Sequence, residues 1–163
     1  MAEIVVPLTF RGLTAEDVPA CAWWGSPLFL TGVAEIMASD RDVEYLAACP
    51  PSGQPVAAGA IDFGKSPGAG VLGQLGVHGA LQSCGIGTAW IGAAEDRIRG
   101  RGLNRAQLSV EESNPRARAL YERLGYVAYG SEPASWEQQA PDGTVSLYRT
   151  VCTQMRKELT RFH

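Results

Sequence analysis

One glycine-containing segment decides how the rest of the chain is interpreted: Gln82-Ser83-Cys84-Gly85-Ile86-Gly87-Thr88-Ala89. It follows a predicted strand, Val71–Val77, and opens a predicted helix, Gly87–Arg101. The two glycines let the backbone come close to a ligand, and a helix N-terminus offers unpaired N–H groups and the positive end of a dipole. These features favour a phosphate or pyrophosphate site. A glycine-rich helix start without any ligand is the alternative.

Two common nucleotide-binding motifs do not fit this segment. A P-loop needs Gly-Lys-Ser/Thr after its glycines, and none follows here. A dinucleotide-binding fingerprint needs a third glycine three residues after the second, where Trp90 stands. A nucleotide binder of another kind that uses the same loop is therefore a third hypothesis.

A second informative segment follows: Asn114-Pro115-Arg116-Ala117-Arg118-Ala119-Leu120-Tyr121-Glu122-Arg123-Leu124-Gly125-Tyr126. Asn114 is a predicted N-cap, Pro115 suits the first helical turn, and Gly125 suits the position just after the helix. An apolar stripe runs along the helix through Ala117, Leu120, Tyr121 and Leu124. The segment predicts a helix over Asn114–Leu124 and then a strand over Tyr126–Gly130.

The remaining elements complete a mixed α/β fold around one sheet. The pattern predicts strands at Ile4–Phe10, Val43–Cys49, Gln54–Lys65, Arg105–Val110 and Val145–Met155, a helix opened by Thr14 as N-cap, and a short helix at Thr31–Ser39. Trp23–Phe29 is predicted as an ordered loop. Ser131–Gly143 is poorly patterned, and its Trp136 is a candidate lid or interface residue. Strand–helix–strand units in the second half imply parallel pairing there.

Composition limits the class of protein. The 163 residues predict one domain, and the net charge of −3 disfavours a nucleic-acid partner. The four cysteines fit no zinc-binding spacing, so we expect reduced thiols in a cytoplasmic protein and no metal. We expect no membrane span and no secretory leader, because no long apolar stretch is free of charge, proline and glycine.

Together the two segments resemble the GNAT family of N-acetyltransferases. The shared pattern is Q-x-x-G-x-G followed by N-P-x-A-x-x-L-Y-x-x-L-G-Y, and the resemblance covers Val71–Gly130, about 60 of the 163 residues. It implies a GNAT-like acyl-CoA N-acyltransferase fold of about seven strands, with a V-shaped split between two central parallel strands and helices on both faces. It also implies an acceptor-side half at 1–65, an acetyl-CoA-binding core at 71–130, and a C-terminal loop and strand at 131–163.

The resemblance implies acetyl transfer from acetyl-CoA to a primary amine by direct attack. The acceptor is then a small-molecule or peptide amine, and the protein a bacterial, cytoplasmic homodimer. A non-catalytic acyl-CoA sensor of the same fold is the alternative. A longer acyl-CoA donor is also open, since a fold does not specify a substrate.

The resemblance also implies a donor site. Backbone amides of Leu75 and Val77 face the acyl-CoA, and Asn114 reaches its pantetheine or a bound water, with simple helix capping as the alternative. The pyrophosphate is cradled by backbone N–H groups of the loop Gln82, Ser83, Cys84, Gly85, Ile86, Gly87 and Thr88. Many family members have a basic residue where Ser83 and Cys84 stand, so we expect weaker phosphate binding here.

The resemblance implies one general acid but leaves several candidates for the general base. Tyr121 is expected both to contact the acetyl-CoA and to act as the general acid, because a phenol with a pKa of about 10 can protonate the departing thiolate; a place in the apolar stripe is the alternative. Gln74 stands where some family members have a carboxylate and cannot act as a base. Glu111 is therefore the preferred general base, with His78 or a water chain as alternatives.

The acceptor pocket is expected in the N-terminal half. Its candidate apolar wall consists of Trp23, Trp24 and Phe29, with Gln74 beside them. Glu35 or Asp40 could attract a cationic amine. Packing of two of the three aromatic side chains in the core is the alternative.

Overall fold

A computed structural model describes residues 2–160 as one mixed sheet of seven strands in the order β1-β2-β3-β4-β5-β7-β6. The strands are β1 (Thr9–Gly12), β2 (Val43–Cys49), β3 (Ala57–Asp62), β4 (Gly70–Val77), β5 (Arg105–Glu111), β6 (Val127–Gln139) and β7 (Val145–Glu158). The α-helices are α1 (Pro27–Ala38), α2 (Ile86–Gly100) and α3 (Pro115–Arg123), and short 3-10 turns lie at Val18–Ala20 and Gly79–Leu81. Within residues 2–160, no helix is long and apolar enough to cross a bilayer.

The expected V-shaped split lies between β4 and β5, which run parallel. They pair only where Gly70 and Val71 meet Ala106 and Gln107. Farther along, β4 carries a bulge: its register against β3 shifts, and Gln74 takes a left-handed backbone conformation with φ of 57°. Such a bulge bends its strand. The two central strands therefore separate toward their C-terminal ends.

The helices cover opposite faces of the sheet. Successive strand residues point to opposite faces, and Leu46 lies in the core cluster beneath α2 and α3 while Tyr45 lies in the cluster beneath α1. Trp90 of α2 is fully buried, and its Nε1 donates to the carbonyl of Leu46 at 2.9 Å. A Cβ on Gly59 would come within 2.5 Å of the Trp90 ring, so β3 needs glycine at that position.

Two predictions in the N-terminal segment are wrong. The first strand is Thr9–Gly12 instead of Ile4–Phe10, and Ile4 is 85% exposed. Thr14 starts no α-helix, although its N–H does donate to the Asp17 carboxylate at 2.7 Å. Pro19 has no N–H to continue a helix, so only the turn Val18–Ala20 forms.

Three further boundaries differ from prediction. Helix α1 begins at Pro27, four residues before the predicted Thr31, because the Ser26 hydroxyl caps it by accepting from the Phe29 N–H at 3.2 Å. The poorly patterned stretch Ser131–Gly143 mostly belongs to β6, a strand of 13 residues paired along its length with β7. The strand predicted at Gln54–Lys65 is limited to Ala57–Asp62.

Candidate active site

A cavity of about 580 Å³ opens between the starts of α2 and α3, beside the end of β4. We call it the donor cavity. Its walls include Val77, Asn114 and every residue of the predicted loop Gln82–Thr88 except Cys84. Leu75 and Tyr121 do not line it; both pack against the main core cluster.

The loop presents backbone donors to this cavity. Ser83 and Gly85 both adopt left-handed conformations, with φ of 63° and 82°. The first helical hydrogen bond of α2 runs from the Ala89 N–H to the Gly85 carbonyl at 3.1 Å. The three N–H groups from Ile86 to Thr88 therefore have no acceptor within the helix. Together with the helix dipole, they favour an anion.

Two arginines in the donor cavity were missed by the sequence analysis. Arg116 and Arg123 both line it, and neither forms a salt bridge in the part of the chain that the structure describes. Arg118 between them is instead paired with Glu122 at 2.8 Å. The spacing of seven residues on a predicted helix was the available signal, because it places both side chains on one face. They supply the positive charge that the loop lacks.

Asn114 is engaged in capping. Its Oδ1 accepts from the N–H of Ala117 at 3.2 Å, while the residue also lines the donor cavity. The capping alternative is therefore correct for the Oδ1 atom. The amide nitrogen of the same side chain makes no hydrogen bond within residues 2–160.

Tyr121 is half-buried beside the core. Its ring meets the Tyr126 ring edge-on with centroids 6.2 Å apart. Burial raises the pKa of the Tyr121 hydroxyl, since desolvation disfavours the phenolate. The side chain therefore carries its proton at neutral pH, as a general acid must.

Glu111 lies at the end of β5 and has a partner that the sequence analysis missed. The Tyr148 hydroxyl of β7 donates to Glu111 Oε1 at 2.6 Å, and this hydrogen bond raises the pKa of Tyr148. The Trp136 ring of β6 lies 5.0 Å from the Tyr148 ring, centroid to centroid. The β6–β7 hairpin thus reaches the candidate base. Sequence patterning gave no signal for this contact, because the partners are 37 residues apart.

The aromatic residues predicted for the acceptor pocket gather at the β4 bulge. Trp24 Nε1 donates to the Gln74 carbonyl at 2.7 Å, and the Tyr45 hydroxyl donates to Gln74 Oε1 at 2.8 Å. Trp24 lies 6.4 Å from Trp23 and 5.2 Å from Phe29, centroid to centroid. Trp24 and Phe29 also pack against the second core cluster. They therefore have a structural role whatever else they contact.

The other proposed polar residues are placed less favourably. His78 Nδ1 accepts from the Ala80 N–H at 3.2 Å. A neutral imidazole has a single acceptor nitrogen, so His78 would have to give up this contact to act as a base. Glu35 and Asp40 are exposed on α1 and beyond its end, and neither lines the donor cavity.

Comparison with known proteins adds a family and a fold. A model of the acetyltransferase (GNAT) family matches residues 14–126, well over half of the chain. A mycothiol acetyltransferase of Salinispora tropica is 36% identical over 91 residues, which cover 53% of this chain and 30% of that protein. Another, from Beutenbergia cavernae, is 48% identical over 52 residues, covering 32% and 18% respectively. The chain therefore matches less than a third of the length of these relatives.

The fold is also found in a solved structure. The ribosomal-protein-S18-alanine N-acetyltransferase from Escherichia coli superposes with a TM-score of 0.72, covering 96% of this chain and 97% of that one. The sequence identity is 21%, so this likeness concerns the fold.

Proposed function

Because the chain belongs to the GNAT family of acetyltransferases, we propose that it transfers the acetyl group of acetyl-CoA to a primary amine by direct attack. The observation that carries the proposal is the donor cavity, where free helix N–H groups and two unpaired arginines line one space. An elongated, multiply charged anion fits that chemistry. Bound there, acetyl-CoA supplies an activated thioester.

Each part of the cavity has a role in this proposal. The N–H groups from Ile86 to Thr88 hold the pyrophosphate, and Arg116 and Arg123 neutralise further phosphate charge. The backbone N–H of Leu75, just after the bulge, polarises the thioester carbonyl. Much of the rate acceleration then comes from holding the amine against the thioester.

We assign proton transfer to two side chains on opposite faces of the sheet. Glu111 takes a proton from the acceptor amine, directly or through water, and Tyr148 fixes the position of its carboxylate. Tyr121, kept protonated by burial, gives a proton to the departing thiolate. Cys84 has no role as a nucleophile, because the amine attacks the thioester directly.

The acceptor is a small-molecule or peptide amine in this proposal. The matched relatives are named mycothiol acetyltransferases, so the acceptor of such enzymes belongs in the first panel of amines tested. A cytoplasmic homodimer is part of the proposal and rests on family resemblance.

Thermal unfolding with acetyl-CoA tests the donor. At 1 mM ligand and a Kd of ~10 μM, linkage predicts about 2.7 kcal/mol of stabilisation. For a domain of this size, the melting temperature should rise by about 5–11 °C. ATP and NAD serve as controls. A shift with ATP or NAD and none with acetyl-CoA would contradict the proposal.

A non-catalytic acyl-CoA sensor is the second candidate. Gln74 favours it, because β4 lacks a carboxylate there and the side chain is tied to Tyr45. Release of free CoA thiol with a panel of amines separates the two functions. Binding of acetyl-CoA without turnover of any amine in the panel would support the sensor.

A further inference from the structure

A groove lies on the face of the sheet opposite the donor cavity. One part of it, about 190 Å³, adjoins the β4 bulge and is lined by Tyr45, Gly73 and Gln74. The other part, about 240 Å³, lies over the strands beyond β4 and is lined by Gln107 and Gln154; we call it the distal pocket. Both parts have Lys65 and Val71 in their walls. They therefore adjoin and run from the split to Gln107.

Gln107 is the unusual residue of the distal pocket. Its side chain belongs to β5 and is only 9% exposed, yet its carboxamide makes no hydrogen bond to any other described residue. Every side-chain nitrogen or oxygen that is sealed from solvent within residues 2–160 does have a partner. The carboxamide must therefore retain access to solvent, and the distal pocket provides it. Buried polar groups in native proteins are almost always paired with protein or water, so the hydrogen bonds of this carboxamide go to whatever occupies the distal pocket, water in the free protein or a bound ligand.

Neighbouring side chains in the distal pocket are also available. The Gln154 carboxamide makes no hydrogen bond, and Lys65 forms no salt bridge, among the residues described. The nearby Ser109 hydroxyl, in contrast, already donates to Glu132 at 3.0 Å. A carboxamide both donates and accepts hydrogen bonds. The charged lining residues Lys65 and Glu132 are of opposite sign, so the distal pocket has no net formal charge that would select a charged end group. The matching partner of the carboxamides is then a neutral group that also donates and accepts, which means a hydroxyl or another carboxamide.

The position of the distal pocket relates it to the reaction centre. Gln107 and Glu111 are four residues apart on β5, so they point to the same face of the sheet about 13 Å from each other. Ser109, between them on β5, lines the distal pocket, while Glu111 lies just beyond its walls. A ligand that occupies the distal pocket and extends along β5 past Ser109 would reach from the Gln107 carboxamide to the candidate base.

We infer that the distal pocket binds the far end of the acceptor, and that this end carries an uncharged hydroxyl or carboxamide about 13 Å from the reacting amine. The inference rests on the proposed function and adds a property of the substrate to it. It requires an elongated acceptor that is polar at both ends.

Matched synthetic amines test the inference. Linear ω-amino alcohols and ω-amino amides of about nine to eleven carbons span the required distance, and plain alkylamines of equal length lack the end group. The end group should raise kcat/KM about three- to tenfold over the plain alkylamine, which is the value of one added neutral hydrogen bond. The alcohol and amide series distinguish the two kinds of end group. Equal kcat/KM for all three series would overturn the inference.

Substitutions then assign the effect to the pocket. In Gln107→Leu and Gln154→Leu, the ratio of kcat/KM with and without the end group should fall to about one. Gln138→Leu, on an exposed part of β6, is the matched control and should keep the wild-type ratio. Should Gln107→Leu fail to fold, Gln154→Leu carries the test, because Gln154 is less buried. An unchanged ratio in a folded Gln154→Leu protein contradicts the inference.

Binding keeps this test separate from that of the proposed function. Calorimetric titration of the same amines into the protein saturated with CoA reports the end-group preference without turnover. A preference in binding, with no turnover of any amine, rejects the proposed reaction and supports the pocket. Turnover of plain alkylamines without any preference rejects the pocket and supports the reaction.

Discussion

The two faces of the sheet bind their proposed ligands by different means. The donor cavity is built from two short stretches, 77–88 and 114–123, and much of what it offers is backbone. The groove on the other face, which we propose for the acceptor, is lined by residues spread along the chain from Ile36 to Gln154, and these lie on most of the strands. Local sequence can specify the first arrangement, while only the finished fold specifies the second. A shared donor with varied acceptors is compatible with that division.

Charge differs between the two sides as well. Arg116 and Arg123 give the donor cavity a positive lining. Around the acceptor end, burial and then the carboxylates Glu111, Glu132 and Glu112 raise the pKa of Cys152. Lys65 acts on that pKa in the opposite direction, so carboxylates outnumber cations there, whereas the lining residues of the donor cavity include arginines and no carboxylate. An anionic donor and a cationic amine would be drawn to opposite sides.

The largest expected effect is on chemistry at the split. Tyr121→Phe should lower kcat by about a hundredfold or more, because general acid catalysis commonly contributes that much. The Kd of acetyl-CoA should stay within about twofold, since the variant keeps the aromatic ring and all of the proposed phosphate contacts of the donor cavity. Single-turnover kinetics and calorimetry measure the two quantities. Tyr129→Phe, at an exposed tyrosine of β6, is the control; because Tyr129 also lines the distal pocket, both variants are assayed with a short alkylamine that does not extend to it. Retention of full kcat would place the acid elsewhere.

Charge on the donor side comes next. The double variant Arg116→Ala/Arg123→Ala should weaken acetyl-CoA binding about five- to twentyfold, because two cationic contacts to phosphate are lost. The effect should shrink at high ionic strength. Arg118→Ala removes an arginine from the same helix that is already paired with Glu122, so it is the matched control. Equal weakening in both proteins would argue against a specific role for Arg116 and Arg123.

On the acceptor side, Tyr148→Phe should lower kcat/KM about three- to tenfold, the value of one hydrogen bond that fixes Glu111. The reciprocal variant, Glu111→Gln, should bring the pKa of Tyr148 down from its raised value, because the carboxylate hydrogen bond that raises it is lost. Ultraviolet titration of tyrosinate, compared with a Tyr148→Phe protein, measures this shift. An unchanged pKa would show that the contact does not persist in solution.

The smallest expected effect is on the free energy of unfolding, through an ion pair between β1 and the segment that precedes α1. Arg11 donates to Asp17 at 2.6 Å, and this lowers the pKa of Asp17 from 3.8 to about 2. Stability from the ionised carboxylate is therefore present above about pH 4 and is lost as the pH falls through 2. Asp17→Asn should reduce the free energy of unfolding by about 1 kcal/mol at pH 7. Urea unfolding should show this difference shrink toward pH 2, with exposed Asp40→Asn as control.

The sequence predicts the donor side, which is specified locally, better than the acceptor side, which depends on contacts between distant segments. The helices α2 and α3 were located to within a residue at their starts, because glycine, asparagine and proline mark those starts locally. The start of β6 falls within the predicted strand Tyr126–Gly130, but its continuation through Gln139 has no clear alternation in the sequence, and pairing with β7 holds it in place. The contacts of Tyr148 and the isolation of Gln107 depend on distant partners. No local pattern carries that information.

The split between β4 and β5 also has a consequence for the order of events. In the proposed reaction, donor and acceptor approach from opposite faces and meet only where the two strands part, so neither blocks the route of the other. The arrangement therefore predicts that both can be resident at once and that neither has to arrive first. Each product would leave by the side from which its parent came. Such a reaction would proceed through a ternary complex with no imposed order of addition, and the first product would not have to depart before the second substrate binds.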